Sequence, residues 1–176
     1  MAEIGIILGS DSDLPKIKEC FDVLEEFGVG FDLIISSAHR CPSQTMEWAS
    51  TASKRGLKVI IAAAGGAAHL PGVVASHTTL PVIGVPIETA IAGGLDSMLS
   101  IIQMPAGIPV AAMAAGKAGG ANAALFAVSI LAVSNPGYAG KLESYRRDMA
   151  EKIQGRNEKL RQMGVREYIR MKEGAK

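Results

Sequence analysis

The chain has 176 residues, a formal net charge of +1 and two cysteines. This length suits one domain with its own core, and a near-neutral charge without interleaved aromatic and basic residues argues against a nucleic-acid-binding protein. Few cysteines, and a start that enters an apolar segment without a basic leader, predict a protein of the reducing cytoplasm.

Apolar segments alternate with segments of helical period along the whole chain. We expect strands at about 3–8, 30–36, 58–63, 81–85 and 108–112, and helices at about 13–27, 42–55, 67–76, 94–102, 120–134 and 138–162, before a short helical tail. Strands that are apolar throughout predict a parallel sheet covered on both faces. About five strands favour a three-layer α/β/α, flavodoxin-like fold over a full Rossmann order.

Segment 118–140 carries no charged residue. It is not predicted to span a membrane, because its strongly apolar part is only about ten residues long and a span needs about 20. A helix that is apolar all round is expected to be buried all round. We therefore expect this helix at a subunit interface, with a central helix of a monomer as the alternative.

The motif GSDSD at 9–13 follows the first predicted strand. Backbone amides at such a turn and helix start can bind an anion, and the hydroxyls of Ser10 and Ser12 add donors. Asp13 suits ribose hydroxyls rather than phosphate. The alternative is a structural role, in which Ser12 or Asp13 caps the helix.

The motif SAHR at 37–40 follows the second predicted strand. Arg40 offers a planar fork for phosphate, and His39 is suited to proton transfer near neutral pH. A turn-stabilising histidine and a salt-bridged arginine are the alternatives. Ser37 lies at the same strand end.

The motif AGGAAHLPG at 64–72 follows the third predicted strand. Its first five residues have no bulky side chain, so a ligand can approach the backbone closely. Amides of Gly65, Gly66 and Ala67 could hold a carboxylate, and His69 is predicted one turn into the next helix. Tight helix–sheet packing is the alternative. We interpret the third histidine, His77, as structural.

The carboxyl ends of parallel strands meet at one edge of a sheet, where open α/β proteins bind ligands. We therefore expect these three motifs to form one site. The chain has no metal-ligand spacing, no GxSxG elbow, no GxGxxG and no P-loop. The sequence therefore predicts neither a metal nor an ATP or redox cofactor.

These motifs, with LPVIGVP at 80–86, the segment at 94–111 and GKAGGANAALFAVSIL at 116–131, resemble the PurE family over about residues 4–135. That family comprises the N5-carboxyaminoimidazole ribonucleotide mutases of purine biosynthesis. Arg40 and the AGGAA loop resemble the bacterial mutase class rather than the animal-type carboxylase, which has SAHK and AGRSN.

The resemblance implies a flavodoxin-like subunit, usually in a homo-octamer, that moves a carboxylate from N5 to C4 of an aminoimidazole ribonucleotide without ATP or metal. His39 matches the family's catalytic histidine, and one histidine can relay both protons. The positions matching or adjoining its substrate-binding residues are Ser10, Ser12, Asp13, Ser37 and Arg40.

The resemblance also maps the glycine-rich loop to the pocket of the migrating carboxylate. The residues concerned are Ala64, Gly65, Ala67, His69 and Leu70. We expect a single domain over 1–176, with an α/β core at 1–135 and helices at 136–176 that pack on neighbouring subunits.

Two positions depart from the family pattern, because Cys41 replaces a common threonine and Glu88 a common neutral residue. We expect Cys41 to act only in local packing. Three alternatives to the mutase stay open: a carboxylase that adds CO2 directly to aminoimidazole ribonucleotide, a carboxylase of another aromatic nucleotide, and a non-catalytic nucleotide-binding subunit.

Overall fold

The computed structural model describes residues 1–174. Its single parallel sheet has the order β2-β1-β3-β4-β5. The strands are β1 (Ile4–Leu8), β2 (Phe31–Ile35), β3 (Val59–Ala64), β4 (Val82–Pro86) and β5 (Ala111–Ala112). This is the flavodoxin-like order, so the fold class predicted from the sequence is confirmed.

Seven α-helices lie in the described residues. They are α1 (Lys18–Phe27), α2 (Pro42–Thr51), α3 (Leu70–Ser76), α4 (Leu95–Ile102), α5 (Lys117–Ala132), α6 (Pro136–Met163) and α7 (Val165–Gly174). The predicted first helix is divided, since Asp11–Ile17 is a 3-10 helix that contains Pro15. Proline has no N–H to donate, so it interrupts regular α-helical hydrogen bonding there.

Helices cover both faces of the sheet. On one face, Trp48 of α2 lies where a Cβ on Gly5 of β1 would project, and Ile101 of α4 covers Gly84 of β4 in the same way. On the other face, α5 packs against α1 and the two central strands β3 and β4. These close approaches explain why glycine occurs inside two buried strands.

β5 is much shorter than predicted, because only Ala111 and Ala112 pair with β4. Pro109 has no N–H for a sheet hydrogen bond, and Gly107 has a φ of +99°. The segment before Ala111 therefore runs as a loop at the edge of the sheet. Apolar composition alone did not show this.

Within one chain α5 is buried on one side only, so the alternative of a central helix surrounded by its own chain is wrong, and the expected subunit interface stays a prediction. Ala123, Ala127 and Leu131 are buried, whereas Phe126 is 42% exposed. A single chain of this size covers one face of the helix and leaves the other to solvent or to another subunit.

The contacts divide the chain into two compact units, Met1–Tyr138 and the residues from Ala139 onward. The first unit holds the sheet. In the second, α6 and α7 have no buried residue, and the exposed apolar side chains include Met149, Ile153 and Ile169. Within residues 1–174, no helix is long and apolar enough to cross a membrane.

Candidate active site

A cavity of about 410 Å³ opens where β1, β2, β3 and β4 end at their carboxyl edge. It lies where the first two connections of the sheet leave in opposite directions, which is the usual ligand crevice of such a sheet. Its lining residues are Gly9, Ser10, Asp13, Lys16, Ser37, Ala38, His39, Arg40, Ala64, Gly65, Ala67, Leu70, Ile87, Glu88 and Thr89. All three sequence motifs therefore contribute to one cavity.

The turn after β1 is ordered by its own hydroxyls. Ser10, in an extended conformation, caps the 3-10 helix by accepting a hydrogen bond from the Ser12 N–H. The Ser12 hydroxyl donates back to Ser10 Oγ at 2.8 Å, and Ser12 does not line the cavity. The residue that caps the helix is therefore Ser10. The sequence alone suggests Ser12 or Asp13 for this structural role.

Asp13 is a buried carboxyl at the cavity wall, with 7% of its surface exposed. Burial raises the pKa of this carboxyl, against the opposing effect of the Lys16 ammonium. The folded chain thus binds the proton more tightly than the unfolded chain. Ionised Asp13 therefore lowers stability at neutral pH, a penalty that vanishes only below the unfolded pKa of about 3.9. A carboxyl retained at such a cost beside a cavity is typical of a functional group.

The turn after β2 carries His39 and Arg40 into the cavity. The Cys41 N–H donates to the Ser37 carbonyl at 2.8 Å, which closes the turn. Arg40 reaches across to the first motif, because its Nη2 donates to the Gly9 carbonyl at 2.8 Å. Behind the turn, the buried hydroxyls of Ser36 and Thr45 lie 2.8 Å apart and connect it to α2.

The turn after β3 is the glycine-rich loop, Ala64–Ala68. Gly66 has a φ of +66°, a conformation that favours glycine. Its N–H donates to the Ser97 hydroxyl at 2.9 Å, so this amide is not free to hold a carboxylate as the sequence suggested. Ala64, Gly65 and Ala67 do line the cavity, without side chains that fill it.

His69 lies just before α3 rather than one turn inside it, because the helix begins at Leu70, next to Pro71. Proline favours the first turn of a helix, which places the boundary at this point. His69 does not line the cavity itself. Its Nδ1 lies 2.9 Å from Nε2 of His39, with the two rings nearly perpendicular at 81°.

The two imidazoles thus form a hydrogen-bonded pair at the cavity. One nitrogen of the pair must donate the proton and the other must accept it, so each ring restricts the tautomer of its neighbour. Nε2 of His39 is engaged by this contact, which leaves Nδ1 as the second nitrogen of that ring. Such an arrangement can hold an imidazole in one orientation for proton transfer.

Of the residues predicted from the sequence for this site, all except Ser12, Gly66 and His69 line the cavity. The prediction missed the residues after β4, namely Ile87, Glu88 and Thr89, and also Lys16 on the 3-10 helix. Lys16 Nζ donates to the Glu88 carbonyl at 3.3 Å, joining the two segments. The sequence did offer a signal for Ile87, Glu88 and Thr89, because they follow a predicted strand, as the three motifs do.

The remaining candidate groups lie outside the cavity. Burial raises the pKa of the Cys20 thiol to about 12, which agrees with a packing role. Cys41 is exposed at the start of α2, so the expectation of local packing is wrong for this side chain. His77 Nδ1 donates to the Val73 carbonyl at 2.9 Å, as expected of a structural histidine. Residues 1–174 contain no metal-binding cluster of three or more histidines, cysteines or carboxylates.

Comparison with known protein families identifies the chain. The model of the AIR carboxylase family matches residues 3–152, which include every residue of the cavity. The chain belongs to the AIR carboxylase family. The AIR carboxylase match also includes all five strands of the sheet.

Relatives with curated names are similar over nearly their whole length. The chain is 50% identical over 173 residues to N5-carboxyaminoimidazole ribonucleotide mutase of Thermotoga maritima, which covers 98% of this chain and 100% of that one. It is 53% identical over 166 residues to the protein of the same name from Pyrococcus horikoshii, with coverages of 94% and 93%.

The crystal structure of Treponema denticola PurE is a solved structure of the same fold. It matches with a TM-score of 0.81 at 27% identity, and the match covers 89% of this chain and 97% of that one. The fold of this AIR carboxylase family member is therefore supported by an experimental structure.

Proposed function

We propose that this chain is an N5-carboxyaminoimidazole ribonucleotide mutase. It moves the carboxylate of its substrate from N5 to C4 and gives 4-carboxy-5-aminoimidazole ribonucleotide, a step of purine biosynthesis. The observation that carries the proposal is the position of His39. It lines the same cavity as Arg40 and the small residues of the glycine-rich loop. The proteins of this name from Thermotoga maritima and Pyrococcus horikoshii are 50% and 53% identical to the chain.

The nucleotide binds through the first two motifs. Arg40, Ser10 and Ser37 line the part of the cavity that binds the phosphate. Ser12 acts through its hydrogen bond to Ser10. Asp13 accepts hydrogen bonds from the ribose hydroxyls, because a carboxylate would repel a phosphate.

The migrating carboxylate lies against the third motif. Ala64, Gly65, Ala67 and Leu70 line that part of the cavity with small or apolar groups. CO2 released there meets few hydrogen-bonding side chains, and this apolar wall retains it between the two steps once substrate fills the cavity. His69 orients His39 through the contact of 2.9 Å.

The chemistry needs one proton delivered and one removed. His39, in its protonated form, gives a proton to N5 as the N5–carbon bond breaks and its electron pair passes to nitrogen, which releases CO2. C4 then attacks the CO2 and becomes a tetrahedral carbon that bears both hydrogen and carboxylate. His39, now neutral, removes the C4 proton, and the electrons of that bond restore the aromatic ring.

The reaction therefore begins and ends with His39 in the same state, and no group outside the chain takes part. The hydrogen bond between Nε2 of His39 and Nδ1 of His69 leaves Nδ1 of His39 to exchange the proton with substrate. In this scheme neither ATP nor a metal ion is consumed or needed.

The test supplies N5-carboxyaminoimidazole ribonucleotide without ATP and in the presence of a chelator. We expect 4-carboxy-5-aminoimidazole ribonucleotide to form, measured by chromatography against a blank for spontaneous carbamate loss. A parallel assay supplies aminoimidazole ribonucleotide with bicarbonate. Conversion in the second assay alone would establish a direct carboxylase instead, and conversion in neither would overturn the proposal.

We further propose that the enzyme is a homo-octamer in the cytoplasm. Leu95, Leu99 and Ile102 form an exposed apolar stripe on α4, and Phe126 is exposed on the uncovered side of α5. Stripes of this kind are typical of subunit contacts, and we assign the C-terminal helices to the same contacts. Light scattering is expected to give eight times the chain mass of 18.3 kDa; a monomer mass would exclude the assembly.

A further inference from the structure

Ser97 of α4 is a fully buried hydroxyl that lies behind the cavity rather than in its lining. It accepts a hydrogen bond from the Gly66 N–H at 2.9 Å and donates one to the Ile87 carbonyl at 2.9 Å. Its hydroxyl hydrogen and one acceptor site are thus used on the backbone of two separate segments. Ile87 lines the cavity, and Gly66 lies between two residues that do.

Ser100, one turn further along α4, contacts the same glycine. Its single hydroxyl hydrogen is shared between the Asp96 carbonyl of its own helix, at 2.8 Å, and the Gly66 carbonyl, at 3.3 Å. The N–H and the C=O of Gly66 are therefore both held from α4. We propose that Ser97, assisted by Ser100, is a positioning residue that fixes the glycine-rich loop and so keeps released CO2 in the cavity; this rests on the proposed mutase function.

The middle of the loop needs such support, because Gly65 and Gly66 have no side chain and Ala67 is exposed. No atom lies within 4 Å of a Cβ placed on Gly66, and its φ of +66° is open to glycine at little cost. A glycine-rich segment samples many conformations unless outside contacts restrict it. The hydrogen bonds from α4 select one of them.

The position of Gly66 also fixes the residues that follow it. The Ala68 N–H donates to the Gly66 carbonyl at 2.8 Å, and the His69 N–H donates to the Ala67 carbonyl at 2.8 Å. Through these two turns, the hydroxyls on α4 determine where the His69 ring meets His39. On the other side, the Ile87 N–H donates to the Ala64 carbonyl at 2.9 Å, so Ser97 closes a bridge between β3 and the segment after β4.

The position of the glycine-rich loop affects what happens to the released CO2. After the N5–carbon bond breaks, CO2 either combines with C4 or escapes, which leaves aminoimidazole ribonucleotide. CO2 is uncharged and offers little to bind, so its retention depends on a wall that stays closed. A loosened loop therefore shifts the partition toward escape, whereas a simple loss of stability would reduce the amount of folded enzyme and leave the partition unchanged.

The experiment compares Ser97→Ala with Ser129→Ala in the full chain. Ser129 is a matched control, because its hydroxyl donates only within its own helix, to the Leu125 carbonyl. Each enzyme receives N5-carboxyaminoimidazole ribonucleotide, and the ratio of aminoimidazole ribonucleotide to carboxylated product is measured after subtraction of the spontaneous reaction. Labelled bicarbonate in the buffer reports escaped CO2 that re-enters the product.

We expect Ser97→Ala to raise the ratio by roughly 3- to 10-fold, the factor that corresponds to the net loss of one hydrogen bond, with increased label in the product. Ser129→Ala is expected to match the wild type. An unchanged ratio in Ser97→Ala, with active wild type, would overturn the proposal while leaving the mutase function intact.

A second variant covers the case in which Ser97→Ala does not fold. Ser100 is only partly buried, and the Gly66 carbonyl keeps the hydrogen bond from the Ala68 N–H when the Ser100 hydroxyl is removed. Ser100→Ala is therefore expected to raise the ratio by a smaller factor. An unchanged ratio in that variant would then overturn the proposal. Inactive wild type would instead overturn the mutase function and this proposal with it.

Discussion

Replacement of His39 by asparagine is expected to reduce turnover of N5-carboxyaminoimidazole ribonucleotide by about 10²- to 10⁴-fold or more. Asparagine keeps a polar group near Nδ1 of His69 but cannot take up and return a proton. The variant therefore loses both proton transfers and keeps the shape of the cavity. Steady-state rates at saturating substrate provide the measurement.

Nucleotide binding by the same variant is expected to change little. Arg40, Ser10 and Asp13 are untouched, so the dissociation constant for the carboxylated product, measured by calorimetry, should remain within about threefold of the wild type. His77→Asn is the matched control, because His77 bonds only near the end of α3. A near-normal rate for His39→Asn would refute the assignment of the catalytic group.

Gly119→Ala should produce the largest loss of stability. A Cβ on this residue of α5 would lie 1.7 Å from the backbone carbonyl oxygen of Ala114. Backbone cannot move aside as a flexible side chain can, so the loop before α5 or the helix itself must shift. Overpacking of this kind costs about 3 kcal/mol, which lowers the melting temperature by roughly 6–12 °C for a chain of this size.

Gly140→Ala is the control for that experiment. Gly140 lies within α6, and no atom is within 4 Å of the position of its Cβ. Alanine favours a helix over glycine by about 1 kcal/mol, so the melting temperature is expected to stay the same or to rise. Equal melting temperatures for the two variants would contradict the close approach of α5 to Ala114.

The order of elements followed from the sequence because each depends on local composition. Continuous apolar segments gave β1, β3 and β4, and the right-handed rule for crossovers restricted the topology. The extent of β5 did not follow, because Pro109 and Gly107 interrupt pairing through backbone geometry rather than hydrophobicity. The one-sided burial of α5 did not follow either. It depends on which other elements pack around the helix, and hydrophobic periodicity carries no information about them.

The candidate site was predicted as far as it lies at the ends of the first three strands. The contact between His39 and His69 joins residues 30 positions apart and depends on where α3 begins. Lys16 and Glu88 stand in segments without an obvious chemical motif, so only the closed fold places them at the cavity. Ser97 is absent from the lining altogether, and its partners are backbone groups that no side-chain pattern reveals.

The hydrogen bond from Arg40 Nη2 to the Gly9 carbonyl has a consequence for recognition. A guanidinium carries five N–H groups in a rigid plane, so one can be spent on the protein while others remain for an incoming anion. The conformational entropy of the Arg40 side chain is thus lost during folding, and little more is lost when the nucleotide binds. A lysine at this position would have a single rotating ammonium group. It could not both hydrogen-bond the Gly9 carbonyl and make a planar bidentate contact with the ligand.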